Sequence, residues 1–209
     1  MTVLDLTHTI KETAPRWPDT PPVVLEPLAS LENKGFREMM LHCSTHTGTH
    51  VEAPAHLLEQ GATLDALNPM QFVGQGMALD CRGKSVITLA MLQAYAADLS
   101  RMEYVLFYTG AGRNWFSPEY FTEYPVLTED AARYLASLQL KGVGIDALSF
   151  DAFVSTDLPI HRILLSAGKV LMENLRNLKN LLGKDFTLVA APLKIRDSDA
   201  APARIYALL

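Results

Sequence analysis

Apolar positions along this chain come in short alternating or continuous stretches. Their lengths predict strands more often than helices. Val3 to Ile10 reads as a short strand, and Gly35 to Ser44 (GFREMMLHCS) as another. Gln75 to Asp80 follows, then Tyr104 to Thr109 (YVLFYT), whose unbroken apolar character suits a buried strand. The stretch VGIDALSF after Gly142, then Val170 to Leu175, Phe186 to Leu193 and Arg204 to Leu209 complete the strand set. Helical stretches lie between them. AHLLEQ follows Pro54 and ends at Gly61, read as a C-terminal glycine. Leu89 to Ser100 has Thr88 as its N-cap. Thr128 to Leu140 is the clearest helix, capped by Thr128, with Glu129 and Asp130 in its first turn and Gly142 ending it. His161 to Ala167 reads as a short helix or turn. The four prolines between Ala14 and Pro22 forbid helix and impose an extended or turning path that carries Trp17. Interleaved strands and helices, with strands in excess, predict an α/β or α+β fold.

Length and charge narrow the picture. The 209 residues, 49% of them hydrophobic, fit one domain over 1–209 with a sizeable core. With a net charge of −5 and Lys and Arg scattered, nothing in the sequence points to a phosphate-backbone partner. Cys43 and Cys81 are too few for a disulfide scaffold or a zinc ribbon. The N-terminal stretch has no basic region followed by an apolar one, and no apolar run approaches the roughly 20 residues of a membrane span. A cytoplasmic protein with a small-molecule substrate, and with no nucleic-acid or membrane partner, is the expectation.

The chemistry concentrates in one segment, His46-Thr-Gly-Thr-His50-Val-Glu52-Ala-Pro-Ala-His56. Three imidazoles and a carboxylate within eleven residues are ligand types for zinc, manganese and iron. Gly48, Pro54 and the β-branched Thr47, Thr49 and Val51 argue against helix. On a straight strand all four groups share a face, but His46 and His50 stand about 13 Å apart, too far to share an ion. A bend at Gly48 brings them together. Glu52 then points the same way as His50, and Pro54 turns the chain so that His56 falls just outside the ligand set. His8 and His42 read as ordinary core or surface histidines.

This segment resembles the signature of the cyclase family of metal-dependent hydrolases, His-x-Gly-Thr-His-x-Asp-x-Pro-x-His. Further similarity runs through Asp5-Leu-Thr, Trp17-Pro, Gly144-Ile-Asp-Ala-Leu-Ser149, His161-Arg-Ile-Leu-Leu165, Glu173-Asn-Leu175, Pro192-Leu-Lys-Ile195 and Ala201-Pro-Ala-Arg204. The resemblance implies an α/β fold of the swivelling β/β/α type, a mixed, partly rolled sheet flanked by helices. It implies His46, His50 and Glu52 as metal ligands, His161 and Glu173 as ligands to a second ion, His56 as the acid/base, and Trp17 in the substrate pocket. It also implies one or two divalent ions, Zn²⁺ or Mn²⁺, and a homodimer or homotetramer. The chain departs from the family at Glu52, where Asp is usual. It departs again at Thr109-Gly110-Ala111, where relatives have Thr-Gly-Trp, and at Arg196 to Ala200, a glycine-rich turn in many relatives.

The implied activity is metal-dependent hydrolysis of a small amide, of formamidase type, on a C–N bond other than a peptide bond. The ion lowers the pKa of bound water to about 7 and polarises the carbonyl, while His56 moves the proton. Two alternatives share the site: a lactam or lactone hydrolase of isatin-hydrolase type, and a metal-holding protein without turnover.

Overall fold

The structure is a computed structural model that describes residues 1–209. Twelve strands form it: β1 (Val3–Asp5), β2 (Val24–Ala29), β3 (Glu38–His42), β4 (His50–Glu52), β5 (Val73–Asp80), β6 (Val86–Ile87), β7 (Tyr104–Tyr108), β8 (Val126–Leu127), β9 (Gly142–Ile145), β10 (Val170–Glu173), β11 (Phe186–Pro192) and β12 (Ala200–Leu208). The helices are short: α1 (Leu31–Lys34), α2 (Leu89–Gln93), α3 (Ala96–Leu99), α4 (Glu129–Ser137) and α5 (Pro159–Ser166).

The main sheet runs β1-β12-β11-β5-β7-β9-β10-β4, and β4 also pairs with β12. That extra pairing closes seven strands into a ring, and β1 pairs further along the same edge of β12 that β4 occupies. The α/β class and the mixed, rolled sheet expected from the sequence are both present, and the roll goes to closure. β5, β7, β9 and β10 are parallel, and the remaining pairs of the ring are antiparallel. Helices α2 to α5 fill the crossovers between the parallel strands, as parallel pairing requires.

Side chains of the parallel strands divide by parity, because successive residues point to opposite faces. Val105, Phe107, Val143, Ile145 and Leu171 pack beneath Leu92, Leu135 and Leu164 of the helices. Tyr104, Leu106, Val170 and Met172 point the other way and meet Leu188, Ala190, Ile205 and Ala207 inside the ring. The interior is therefore a packed core with no room for substrate. Val51 of β4 belongs to that interior. His50 and Glu52 flank it in sequence, so they project outward, onto the side where α5 lies.

Several boundaries differ from the sequence reading. AHLLEQ is not a helix; only a 3-10 turn, Pro54–His56, forms there. Gly61 is not a left-handed cap. It is glycine because a Cβ would sit 2.4 Å from the Pro54 carbonyl carbon and 2.6 Å from Ala55 N. The 89–100 stretch splits into α2 and α3, although Thr88 does cap α2 through Met91 N. The helix after Thr128 stops at Ser137, and Gly142 opens β9 instead of ending the helix. Thr128 precedes that helix without a side-chain bond to its backbone. β2 was not foreseen, because Pro27 interrupts its pattern; it forms a separate two-stranded sheet with β3. Cys43 and Cys81 are unpaired. No helix is long and apolar enough to cross a membrane.

The N-terminal segment passes behind β4. His8 N donates to Thr49 Oγ1 at 2.9 Å, and the His8 ring stacks on Trp115 with centroids 3.9 Å apart. Burial, with Arg176 nearby, pulls this imidazole down to about 4.

Two predictions follow from the packing. Gly61→Ala forces the Pro54–His56 turn aside and costs roughly 1–3 kcal/mol by overpacking. Urea unfolding measures it, and a variant as stable as the parent would show that the turn yields freely. The second concerns acid stability. Between the ordinary imidazole value of 6.5 and about 4, the unfolded chain takes up a proton at His8 that the folded chain refuses. That contribution is intact above 6.5 and is lost as pH falls from 6.5 through about 4. His8→Phe keeps the stack and removes the titrating group. Its melting temperature should fall less than the parent's across that window, and parallel profiles would refute the assignment.

Candidate active site

Gly48 does what the spacing required. Its φ of +61° bends the chain just before β4, so His46 lies in a turn and folds back toward His50. His46 Nδ1 stands 3.3 Å from His50 Nε2 and 2.9 Å from Glu52 Oε1, and His50 Nε2 is 3.3 Å from the same oxygen. The later residues arrive through strand register. β10 pairs with β4 so that Glu173 is directly opposite His50, which puts both side chains on one face. Glu173 Oε2 lies 3.7 Å from His50 Nε2. His161, on α5, brings its Nε2 within 3.1 Å of Glu173 Oε1 and 3.4 Å of Glu52 Oε2. All five residues named in the sequence as ligands are thus brought together. His50, Glu52, His161 and Glu173 are buried.

Each imidazole is oriented by its other nitrogen. His50 Nδ1 donates to Gly48 O at 2.9 Å, and Asn174 Nδ2 donates to the same carbonyl. His161 Nδ1 donates to Asp151 Oδ2 at 2.6 Å, and Asp151 also accepts from the Ile160 and His161 backbone N–H groups that open α5. His46 Nε2 donates to Asp199 Oδ2 at 2.8 Å. His56, on its 3-10 turn, donates from Nδ1 to that oxygen at 3.1 Å, and its ring centre is 4.3 Å from that of His46. The sequence reading put His56 just outside the ligand group; in the structure it forms a separate ligand-capable triad with His46 and Asp199. Asp151, Asn174 and Asp199 were missed. Each reaches the site from a loop or a strand end far from the motif, and no local pattern marks them.

The charges compensate one another. Burial alone would raise the Glu52 carboxyl, but His161 and hydrogen bonds from His46 and His50 outweigh it and hold it well below the usual carboxylate range. Burial would lower His161, yet Glu52, Asp151 and Glu173 hold it well above the ordinary imidazole value. His46 is likewise raised to about 10, Asp199 and Glu52 overcoming its desolvation.

The donors fit a divalent metal. Two triads, His46–His50–Glu52 and Glu52–His161–Glu173, each offer ligand atoms within 4.8 Å of one another. They share Glu52, whose Oε2 is buried and accepts no hydrogen bond. A buried carboxylate oxygen without a donor is rare unless a cation accounts for it. The two oxygens of Glu52 are divided between the triads, Oε1 beside His46 and His50 and Oε2 beside His161. His8 and His42 stay outside. His42 is exposed and faces Glu26 across the β2–β3 pair.

Over these groups lies a cavity of about 260 Å³, walled by Trp17, Arg16, Thr20, Ser44, Leu148 and Asn174 among others. Trp17 is thus at the pocket, its ring 4.9 Å from Phe153. A larger cleft of about 940 Å³ opens beyond Trp17 and is lined by Trp115, Phe116, Phe121 and Phe153. It holds none of the convergent imidazoles, so the chemistry is assigned to the smaller cavity. At Thr109-Gly110-Ala111 no aromatic side chain is present; Asp146 ties the loop through Thr109 N, Thr109 Oγ1 and Gly110 N.

Comparison with known proteins agrees with this geometry. The Cyclase family matches over residues 4–152. The kynurenine formamidase of Salinibacter ruber (strain DSM 13855 / M31) is 39% identical over 168 residues, covering 78% of this chain and 76% of the relative. A structure described as a "predicted metal-dependent hydrolase" from Bacillus stearothermophilus is 33% identical, with a TM-score of 0.81 over 99% of this chain and 97% of that one. An isatin hydrolase bound to the product analogue thioisatinate shares the fold, with a TM-score of 0.90 at 24% identity over 99% of this chain and 92% of that one. The chain belongs to the Cyclase family.

Proposed function

We propose that this protein is a metal-dependent hydrolase that cleaves a small amide of formamide type, a C–N bond other than a peptide bond. The observation that carries the reading is Glu52, whose two oxygens face two separate histidine-containing triads while His56 stands beside them. Likeness to the kynurenine formamidase, at 39% identity, favours the formamide over the ring-opening alternative, which rests on shared fold.

His46, His50 and Glu52 would hold one ion, and Glu52, His161 and Glu173 a second. Zinc and manganese both accept such nitrogen and oxygen donors. A bound divalent ion supplies Lewis acidity, lowering the pKa of water to about 7 and polarising the amide carbonyl. The residues do the rest. Gly48 O and Asp151 hold the Nδ1–H of His50 and His161, so that each Nε2, once free of a proton, would present its lone pair to an ion. Trp17 walls the cavity against one face of the acyl or amine group. His56, its Nδ1 engaged, has Nε2 free to take the proton from the attacking water and pass it to the departing nitrogen. Water adds to the acyl carbon, the C–N bond breaks, and a carboxylate and an amine leave.

Metal-stripped protein reloaded with zinc or with manganese should hydrolyse formanilide. Opening of isatin without formanilide cleavage would move the assignment to lactams, and metal binding without turnover would leave only a metal-holding role. His56→Ala should lose roughly 10²–10⁴-fold in kcat at unchanged metal content, whereas His50→Ala should lose metal and activity together. If His56→Ala sheds metal as readily, His56 is a ligand.

We further propose that a second copy of the chain covers the β2–β3 pair. Leu25 and Leu41, and Pro27 and Met39, stand opposite one another and make one apolar face. Met39 is 58% exposed and Leu41 42%. A two-stranded sheet with such a face is marginal alone and marks a protein contact. Light scattering should show a dimer or tetramer for the parent and a smaller species for Met39→Glu; a monomeric parent would end the proposal.

A further inference from the structure

Asp199 lies 153 residues from His46 in sequence and 143 from His56, yet one of its oxygens meets both rings. Its backbone is fixed first. Asp199 O accepts from Ala53 N at 2.8 Å, and the next residue, Ala200, pairs opposite Glu52 at the start of β12. Its side chain is fixed next, with Oδ1 accepting from Thr45 Oγ1 at 3.1 Å. That leaves Oδ2 turned toward the histidines, 2.8 Å from His46 Nε2 and 3.1 Å from His56 Nδ1.

An ionised carboxylate only accepts hydrogen bonds, so both rings must present N–H to it. When a ring gives up its second proton, as His46 must in order to ligate an ion, the other nitrogen carries the lone pair. For His46 that is Nδ1, the atom turned toward His50 and Glu52. For His56 it is Nε2, the atom left free to move a proton. We infer that Asp199 is a positioning residue that sets the tautomers of His46 and His56 at once, tying the proposed metal centre to the proposed proton carrier through one oxygen. The inference rests on the hydrolase reading for its kinetic consequence, but not for its tautomer consequence.

Histidine side-chain ¹⁵N spectra of metal-free protein, recorded where the His56 ring is neutral, test its tautomer directly. Parent His56 should carry its proton on Nδ1, with Nε2 unprotonated. Asp199→Ala should release it toward the Nε2–H form, and Asp199→Asn, which keeps an oxygen in place, should restore the Nδ1–H form. Asp199→Ala should also lose roughly 10–100-fold in zinc affinity and in kcat, the usual cost of removing a carboxylate behind a ligating or catalytic histidine, with KM little changed. On a His56→Ala background the same substitution should lower kcat much less, because its effect on rate runs through that ring.

A parent His56 protonated on Nε2, or a kcat loss fully additive with His56→Ala, would overturn the inference. So would a zinc ion lost stoichiometrically with Asp199 alone, since His46, His56 and Asp199 would then be ligands of a further ion. Should no amide be hydrolysed at all, the ¹⁵N spectra and the zinc affinity still decide whether Asp199 orients the two rings.

Discussion

Everything at the site hangs on a three-residue strand held on both edges. β4 pairs antiparallel with β10 on one side and with β12 on the other, and it is this double pairing that closes the ring. Its register admits one solution. Val51 enters the interior among Met172, Ala201 and Ile205, and His50 and Glu52 face outward opposite Glu173 and Leu171. A slip of one residue would exchange the faces, burying an imidazole and a carboxylate in an apolar core while exposing valine. The cost of burying unpaired charge makes that arrangement inaccessible. The hydrophobic pattern that closes the ring is therefore the same pattern that aims His50 and Glu52 into the site.

The price of the arrangement is concentrated polarity. Three buried carboxylates, Glu52, Asp151 and Glu173, and two buried imidazoles form one contact network, with His46 and His56 at the rim. Each is tolerable only because of its neighbours: Glu52 against three histidines, His161 between Asp151, Glu52 and Glu173. Removing a single member of such a cluster leaves its partners uncompensated, which is more disruptive than deleting an isolated surface pair. The surrounding hydrogen bonds, from Gly48 O and from the carboxylates of Asp151 and Asp199, spend their acceptors on the outer nitrogens of the rings and leave the inner ones directed inward.

What the sequence disclosed follows the same division between local and distant. The bend at Gly48 and the shared face of His50 and Glu52 are consequences of a few adjacent residues, so spacing alone exposed them. His161 and Glu173 were reachable only through resemblance, because strand register across more than one hundred residues has no local signature. Asp199 escaped both routes. It lies in the Arg196 to Ala200 segment, where the chain departs from the pattern of its relatives, and an aspartate in an irregular turn looks like any solvated acid until β12 docks. The misread helix after Pro54 has a similar origin. AHLLEQ has helical composition, but the approach of Gly61 to the Pro54–Ala55 backbone folds the stretch back on itself after one turn. Tertiary contact overrode propensity there, and the same contact fixes where His56 stands.

The place of β12 in the ring has a consequence for how the molecule comes into being. This strand is the partner of β1, β4 and β11, and it delivers Asp199 to a motif more than one hundred and forty residues earlier. The parallel βαβ segment can collapse early, from contacts that lie near in sequence, but β4 has no second edge until β12 docks. Contacts of such long range are slow to form because their loops must close first. The histidine motif therefore gains the geometry of the complete cluster only after this closure.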